Sequence, residues 1–510
     1  MNRTQASIKN FIWYNVSTLV TLVLNFVLRT ILIKTLGEVY VGISNLFTNI
    51  LGMLSLAELG IGTAIGYNLY RPLAENDRPK IQALINFYRR AYRIVAAVVG
   101  VIGVVLIPFL PKIAKGSEGV EHLTFIYCIY IFNTVSSYLI AYKSTIINAD
   151  QKNYIITNIN TATNIIIVIF QMLVLLVFKN YVFYMLVSAG IGFARNIYLN
   201  YYTGKLYPFL RKRNNERLSK EEKQGIFTKI KALIYHSVGS VVVFQTDSII
   251  TSSIINVNAV GFVSNYNMII NAIKNLSSSF FRIIIPSVGN LLVLSDKTKA
   301  RNLYKKVSFL CFWVASFTSL CLFFMLTPFI KIWIGEKYVM SVAVVFLLCI
   351  NYYIAIVRTP SNSFKSAAGM FEQDRFSPIL ESIINLVVSI VLAKKIGIAG
   401  IYIGTLASSF VPLIWSEIIV GKYIINESVF AIFKRLIFRT LCMFACGAGL
   451  YLLFEKVAFE NLYINLIFRC VACIILSNLM IVLVFGRTAE FKYLISAFKK
   501  VLQKFLKRRS

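Results

Sequence analysis

The chain has 510 residues, 57% of them hydrophobic and 15% charged, and Lys+Arg 53 against Asp+Glu 21 leaves a net charge of +32. Soluble globular chains run nearer about 45–50% apolar and about 25% charged, whereas the mean hydropathy here is +0.71. These figures exclude a soluble enzyme, a disulfide scaffold and a single-span receptor; at about 20 residues per span plus short loops, the length accommodates roughly fourteen membrane helices.

Arg3 and Lys9 precede an apolar run from Phe11 to Ile33 that is too long for a signal peptide and lacks a small-residue cleavage site, so it reads as the first span. Apolar segments then recur at 40–65, 91–112, 122–147, 154–177, 180–202, 230–255 and 258–285. A second series follows at 306–330, 340–364, 376–396, 399–422, 433–455 and 464–486. In hydrocarbon each backbone group must bond within its own segment, so the fold class is all-α.

The loops sort into a strongly basic set and a sparse set. Arg71, Arg78, Lys80, Arg89, Arg90, Arg211, Lys212, Arg213, Lys297, Lys299, Arg301, Lys434 and Arg435 fall on one side, and Lys112, Lys179, Lys331 and Lys394 on the other. This asymmetry places both termini and the basic loops in the cytoplasm and accounts for the net charge without nucleic acid. The segment from Phe491 to Arg509 alternates apolar and basic residues at helical spacing and reads as a helix along the anionic inner leaflet. The eight cysteines all sit in apolar segments and behave as small hydrophobes; Cys470 and Cys473 have metal-ligand spacing but no histidine nearby, so no metal site is expected.

The chain also matches itself. Phe87-Tyr88-Arg89-Arg90 aligns with Leu303-Tyr304-Lys305-Lys306, Pro108-Phe109 with Pro328-Phe329, and Asp77-Arg78-Pro79-Lys80 with Asp296-Lys297-Thr298-Lys299. Six spans per copy is an even number, so the copies enter the membrane in the same direction, related by an axis along the membrane normal. The expected division is a six-helix lobe at 1–202, a basic linker at 203–229, a second six-helix lobe at 230–424, two extra helices within 433–486 and a basic tail at 487–510. Two like-oriented lobes suit alternating access, as in transporters.

Polar residues form stripes within the spans. Asn15, Thr18, Asn25 and Arg29 share a face of the first span; His236, Ser240, Asp247 and Thr251 do so in the seventh. The eighth carries Asn267, Asn271 and Asn275 beside Lys274; the fifth Thr157, Asn160, Asn164 and Gln171; the tenth Asn351, Arg358, Asn362 and Lys365. A charge at mid-bilayer costs about 2.5–3.5 kcal/mol on insertion scales, so Arg29, Asp247, Lys274 and Arg358 are read as facing a cavity. Arg195 and Arg282 divide evenly between that reading and helix contacts. Lys143, Lys365, Arg439 and Glu417, near predicted helix ends, read as contacts between helices or as snorkelling groups. Glu58 serves equally as a structural partner of a cation or as a functional group; with Asp247 and His236 it is a candidate for coupling to H+ or Na+. The excess of buried cations favours a phosphate-bearing ligand, and the many Asn, Thr and Tyr groups favour a hydroxyl-rich sugar. An anionic glycolipid meets both demands.

With this layout, with Asn15 through Thr35-Leu36-Gly37 to Val41-Gly42-Ile43, and with Leu59-Gly60-Ile61-Gly62 followed by Tyr88-Arg89-Arg90, the chain resembles the Wzx-type polysaccharide and O-unit flippases. These belong to the MOP superfamily, with MATE exporters and lipid II flippases as relatives. The resemblance implies movement of an undecaprenyl-diphosphate-linked oligosaccharide across the bacterial cytoplasmic membrane, for O-antigen, capsule or exopolysaccharide assembly beside a polymerase machinery. No G-x-x-x-x-G-K-[ST] loop is present, so no nucleotide cofactor is expected. Arg29, Lys274 and Arg358 are the expected diphosphate ligands, with Asn25, Asn271, Arg195 and Arg282 as further substrate contacts. The alternatives are a MATE-like cation-coupled drug antiporter, a lipid II flippase and a membrane glycan polymerase or ligase; the short external loops disfavour the last.

Overall fold

The computed structural model describes residues 3–58, 61–211, 218–282, 297–370, 372–457 and 459–506. These are almost entirely helical, and each of the fourteen expected spans falls mainly on helix over its described residues. Ten described helices are long and apolar enough to cross a membrane. The segments 40–65, 230–255, 258–285 and 376–396 are not among those ten.

The chain divides into two compact units, Met1–Ser264 and Asn265–Ser510. The first holds α1 (Arg3–Leu36), α2 (Glu38–Leu54), α3 (Ile61–Ala74), α4 (Arg78–Val105), α5 (Leu123–Ala149), α6 (Asn153–Val177), α7 (Tyr181–Leu206), α8 (Lys220–Ile250) and the start of α9 (Val257–Arg282). The second holds the rest of α9 and α10 (Lys297–Trp333), α11 (Val342–Val357), α12 (Thr359–Ala367), α13 (Ser377–Ile396), α14 (Ile398–Ile419), α15 (Val429–Lys456), α16 (Leu462–Phe485) and α17 (Ala489–Leu506).

The boundary differs from the expected linker at 203–229. Helix α8 and the first turns of α9 group with the first unit because α2 meets them at backbone distance. A Cβ on Gly261 would stand 2.6 Å from the Glu38 carbonyl oxygen, and one on Gly42 would come closer still to the Val257 carbonyl oxygen. Asn49 Nδ2 donates to Ser248 Oγ at 2.6 Å along the same contact.

Local chemistry sets the helix ends. Asp77 caps α4 by accepting from the Lys80 amide at 3.0 Å, Asn180 caps α7, and Ser219 with Glu222 closes a capping box on α8. Three expected spans are interrupted, the third where α4 ends at Val105 and a 3-10 turn, Ile107–Phe109, follows. The second breaks between α2 and α3, where Ser55–Glu58 form a 3-10 turn in a glycine-rich stretch. The tenth breaks at Arg358 between α11 and α12, because Pro360 cannot donate to the helical ladder. Helix α8 ends in a π turn, Thr251–Ile255.

At positions that the expected repeat pairs, the two units carry corresponding hydrogen bonds. In the first unit Thr145 Oγ1 donates to Tyr88 Oη at 3.1 Å; in the second, Tyr304 Oη and Ser361 Oγ share a bond of 2.9 Å at the same sequence offset. The extra helices pack on α10, where Trp313 Nε1 donates to Asn478 Oδ1 at 2.8 Å and Phe309 and Phe312 meet Phe485. The tail helix α17 docks on α10 through Phe491 stacked on Trp313 and Lys306 lying 3.6 Å from the Tyr493 ring centroid; residues 507–510 of the expected amphipathic tail lie outside the described residues.

Helices α13 and α14 form the tightest hairpin. A Cβ on Gly404 would stand 2.7 Å from the Ser389 amide nitrogen, and one on Gly400 would stand 2.7 Å from that of Ala393. Gly449, in contrast, faces open space. Gly404→Val should therefore cost about 3 kcal/mol by overpacking against backbone, read as a lowered Tm of the purified protein, while Gly449→Val should leave Tm nearly unchanged.

Between α14 and α15, Glu427 accepts two bonds from Arg435, at 2.8 and 2.9 Å, and pairs with Lys305 at 3.2 Å. Partial burial opposes its ionisation, but Arg435 and Lys305 outweigh that and hold its carboxyl below the usual carboxylate range. Its folded value lies below its unfolded one, so its stabilisation is complete above the unfolded value and lost as pH falls through the folded one. Glu427→Gln should lower Tm at neutral pH, and the gap to the native chain should close below about pH 4.

Candidate functional site

The first unit carries an open chamber of about 680 Å³ between α3, α4, α5, α6 and α7, within the size range of small-molecule sites. Its walls carry one carboxylate, Glu58, one guanidinium, Arg195, and a set of neutral hydroxyl, phenol and amide groups including Ser144, Asn148, Asn160 and Asn196. A second cavity of about 280 Å³, between α10, α11 and α15, is lined mainly by apolar groups such as Phe323, Phe346 and Phe444. Only the first has the polarity to hold a hydrophilic ligand inside an apolar protein.

Glu58 stands where the second span is interrupted, so its carboxylate reaches the chamber from a broken helix, the usual setting of polar sites in membrane transporters. Tyr92 Oη donates to it, Tyr88 lies 3.2 Å from Tyr92, and Thr145 donates to Tyr88. Tyr138 also bonds to Glu58. Thr145, Tyr88, Tyr92 and Glu58 thus form a continuous chain of hydroxyls ending on a carboxylate, a geometry through which a proton can pass.

Arg195 donates through Nη2 to Asn196 Oδ1 at 3.2 Å, while its buried Nε has no hydrogen-bond partner among the described residues. Arg29 lies elsewhere in the same unit. It donates to Ser264, which also accepts from Asn45, and the phenols of Tyr130, Tyr181 and Tyr184 surround its charge. Tyr130 bonds to Ser44 at 2.9 Å and to Tyr181 at 3.2 Å. Tyr181 and Arg195 are both on α7, fourteen positions apart, hence about 21 Å along the axis. Arg29 and Arg195 belong to separate sites. Asn25 is half-buried one turn before Arg29. Asp247 occupies the last turn of α8, its carbonyl accepting from Thr251 Oγ1 at 2.6 Å immediately before the π turn.

In the second unit Arg358 pairs with Glu381 at 3.2 Å, and Lys274 is close enough to interact electrostatically with Arg358. Asn271 is exposed on α9. The side chains of His236 and Arg282 lie outside the described residues. Lys365, Glu417 and Arg439, 5%, 3% and 7% exposed, are contacts between helices and do not snorkel: Lys365 pairs with Asp374 and donates to Ser416 at 3.0 Å, Glu417 accepts from Tyr304 and Ser361, and Arg439 donates to Ser308 at 3.1 Å.

Sequence reasoning missed Glu381, the tyrosines around Glu58, and the chamber itself. A lone acid in an otherwise apolar span was the available signal for Glu381; its pairing with a residue on another helix had none.

A family profile described as "Polysaccharide biosynthesis protein" matches residues 7–292, more than half of the chain. The chain belongs to the polysaccharide biosynthesis protein family. None of the curated proteins matches it. Among solved structures, this family member is similar to the lipid II flippase MurJ in an inward closed conformation, with a TM-score of 0.67 and 13% identity over 93% of this chain and 99% of that one. It is also similar to an inward-facing multidrug resistance MATE family transporter of the MOP superfamily, at TM-score 0.57 and 13% identity over 79% and 95% of the two chains. The Vibrio cholerae MATE transporter VcmN, in a mutant form, matches at TM-score 0.56 and 13% identity over 84% and 99%. At these identities the likeness concerns the fold: this member of the polysaccharide biosynthesis family is a multi-pass membrane protein built like MOP-superfamily transporters.

The Arg358–Glu381 pair separates structural from ligand-binding roles. Arg358→Ala leaves a largely buried carboxylate without its partner and should cost about 3 kcal/mol of stability. Arg358→Met combined with Glu381→Met should recover most of that loss, as read by a double-mutant cycle on thermal unfolding.

Proposed function

We propose that the protein is a flippase, not an enzyme, and that it moves an undecaprenyl-diphosphate-linked oligosaccharide across the bacterial cytoplasmic membrane by alternating access. The observation that carries this reading is the chamber of about 680 Å³ lined by hydroxyls, amides, phenols, Glu58 and Arg195, inside a membrane protein of the polysaccharide biosynthesis family. Such a chamber lets hydroxyl-rich sugars exchange water for protein partners while the lipid tail stays in hydrocarbon. Arg29, outside the chamber in the first unit, is the favoured group for the diphosphate, and Lys274 with Arg358 is a separate cationic candidate within the second unit. Glu58, at the end of its hydroxyl chain, is the favoured coupling carboxylate, and H+ the favoured ion, with Asp247 as the second candidate. The loop charges support cytoplasmic termini, and delivery to a polysaccharide polymerase follows from the product.

Deleting the gene from its host should strip surface glycan and leave lipid-linked units on the inner leaflet. Complementation with Arg29→Ala should restore normal membrane levels of protein but at least about tenfold less export, the scale of one charged hydrogen-bond donor. Cation-stimulated dye efflux by the purified protein without any glycan phenotype would replace this reading with a drug antiporter. Rescue of a strain lacking its lipid II flippase would reassign the substrate.

A further inference from the structure

The chamber contains five tyrosines of two kinds. Tyr88, Tyr92 and Tyr138 are buried and committed to hydrogen bonds around Glu58. Tyr67 and Tyr70, one turn apart on α3, are 68% and 53% exposed, and their rings meet edge to face at 5.9 Å and 72°. Tyrosines near helix ends in membrane proteins often sit at the lipid–water interface. These two also line the polar chamber, so part of their exposed surface is turned to a hydrophilic space.

The charge of that space is balanced. Its lining holds one carboxylate and one guanidinium, and every other lining group is neutral. A diphosphate asks for an excess of positive charge, with forked donors, which the chamber lacks. An uncharged sugar ring asks for donors and acceptors at its hydroxyl edge and for an electron-rich surface under its C–H face. Asn148, Asn160 and Ser144 supply the first, and the paired phenol rings supply the second.

From this we infer that the first unit's chamber receives the uncharged sugar portion of the cargo, stacked on Tyr67 and Tyr70, and that these two residues set which sugars are carried. The inference rests on the flippase reading and deepens it: sugar and diphosphate are read by different parts of the protein.

The test uses the full-length protein in proteoliposomes with two fluorescently tagged probes, a polyprenyl diphosphate bearing one N-acetylglucosamine and the same lipid with no sugar. For the native chain and each variant, the quantity read is the ratio of the two transport rates. Tyr67→Ala combined with Tyr70→Ala should lower the ratio about tenfold, the scale of a lost ring contact, and Tyr67→Phe combined with Tyr70→Phe, which keeps both rings, should keep most of it. An unchanged ratio in the alanine variant, whether both rates fall together or neither falls, overturns the inference and leaves the flippase reading standing. If the native chain moves neither probe, the flippase reading fails first and takes the inference with it.

Discussion

A backbone dissolved in hydrocarbon has no water to bond to, and that constraint organises this protein more than any single contact. Each N–H and C=O in a span must find a partner within its helix, and each interruption must be turned toward protein or a wet cavity. The chain spends its interruptions sparingly. The break at Ser55–Glu58 puts a carboxylate on the chamber wall, the break at Arg358 puts a guanidinium beside Glu381, and the π turn at Thr251–Ile255 follows Asp247 directly. At these three positions a charged candidate and irregular backbone coincide, and the same cost forbids both from facing lipid.

Burial of charge follows the same rule with two outcomes. In the second unit, the Lys365–Asp374 pair and the Glu417 carboxylate under Tyr304 and Ser361 are enclosed between helices, and they hold α10, α12 and α14 together. In the first unit, the hydroxyl chain from Thr145 to Glu58 opens onto the chamber, and Arg195 keeps a donor uncommitted there. The repeat reuses one tyrosine-to-hydroxyl bond, Tyr88–Thr145 and Tyr304–Ser361, for opposite ends: one lines a space and the other closes one. Divergence between the halves lies in which helix donates the carboxylate, the second span for Glu58 and the twelfth for Glu417.

Close backbone approach complements these polar contacts. In hydrocarbon, two helices gain little from burying apolar side chains against each other, so packing favours small residues that let the chains touch. Gly42 with Gly261 and Gly400 with Gly404 serve this end, and the first contact explains why α8 and the start of α9 belong with the first unit, although the basic segment before them looks like a natural boundary.

The sequence alone determined the solvent, the helical class, the places of the apolar segments and the residues whose burial has a cost. All of these depend on transfer energy and on the 3.6-residue period, which belong to each segment by itself. Tertiary structure alone decided which costly residues meet. Arg195 and Glu58 share a chamber, while Arg29 sits among Tyr130, Tyr181 and Tyr184, outside the chamber's lining. Arg358 finds Glu381, and Lys365, Glu417 and Arg439 turn inward where their positions near helix ends had equally allowed a path to the interface. Pairing between helices depends on crossing points set by small residues and on breaks within spans, and neither is contained in the periodicity of any one segment.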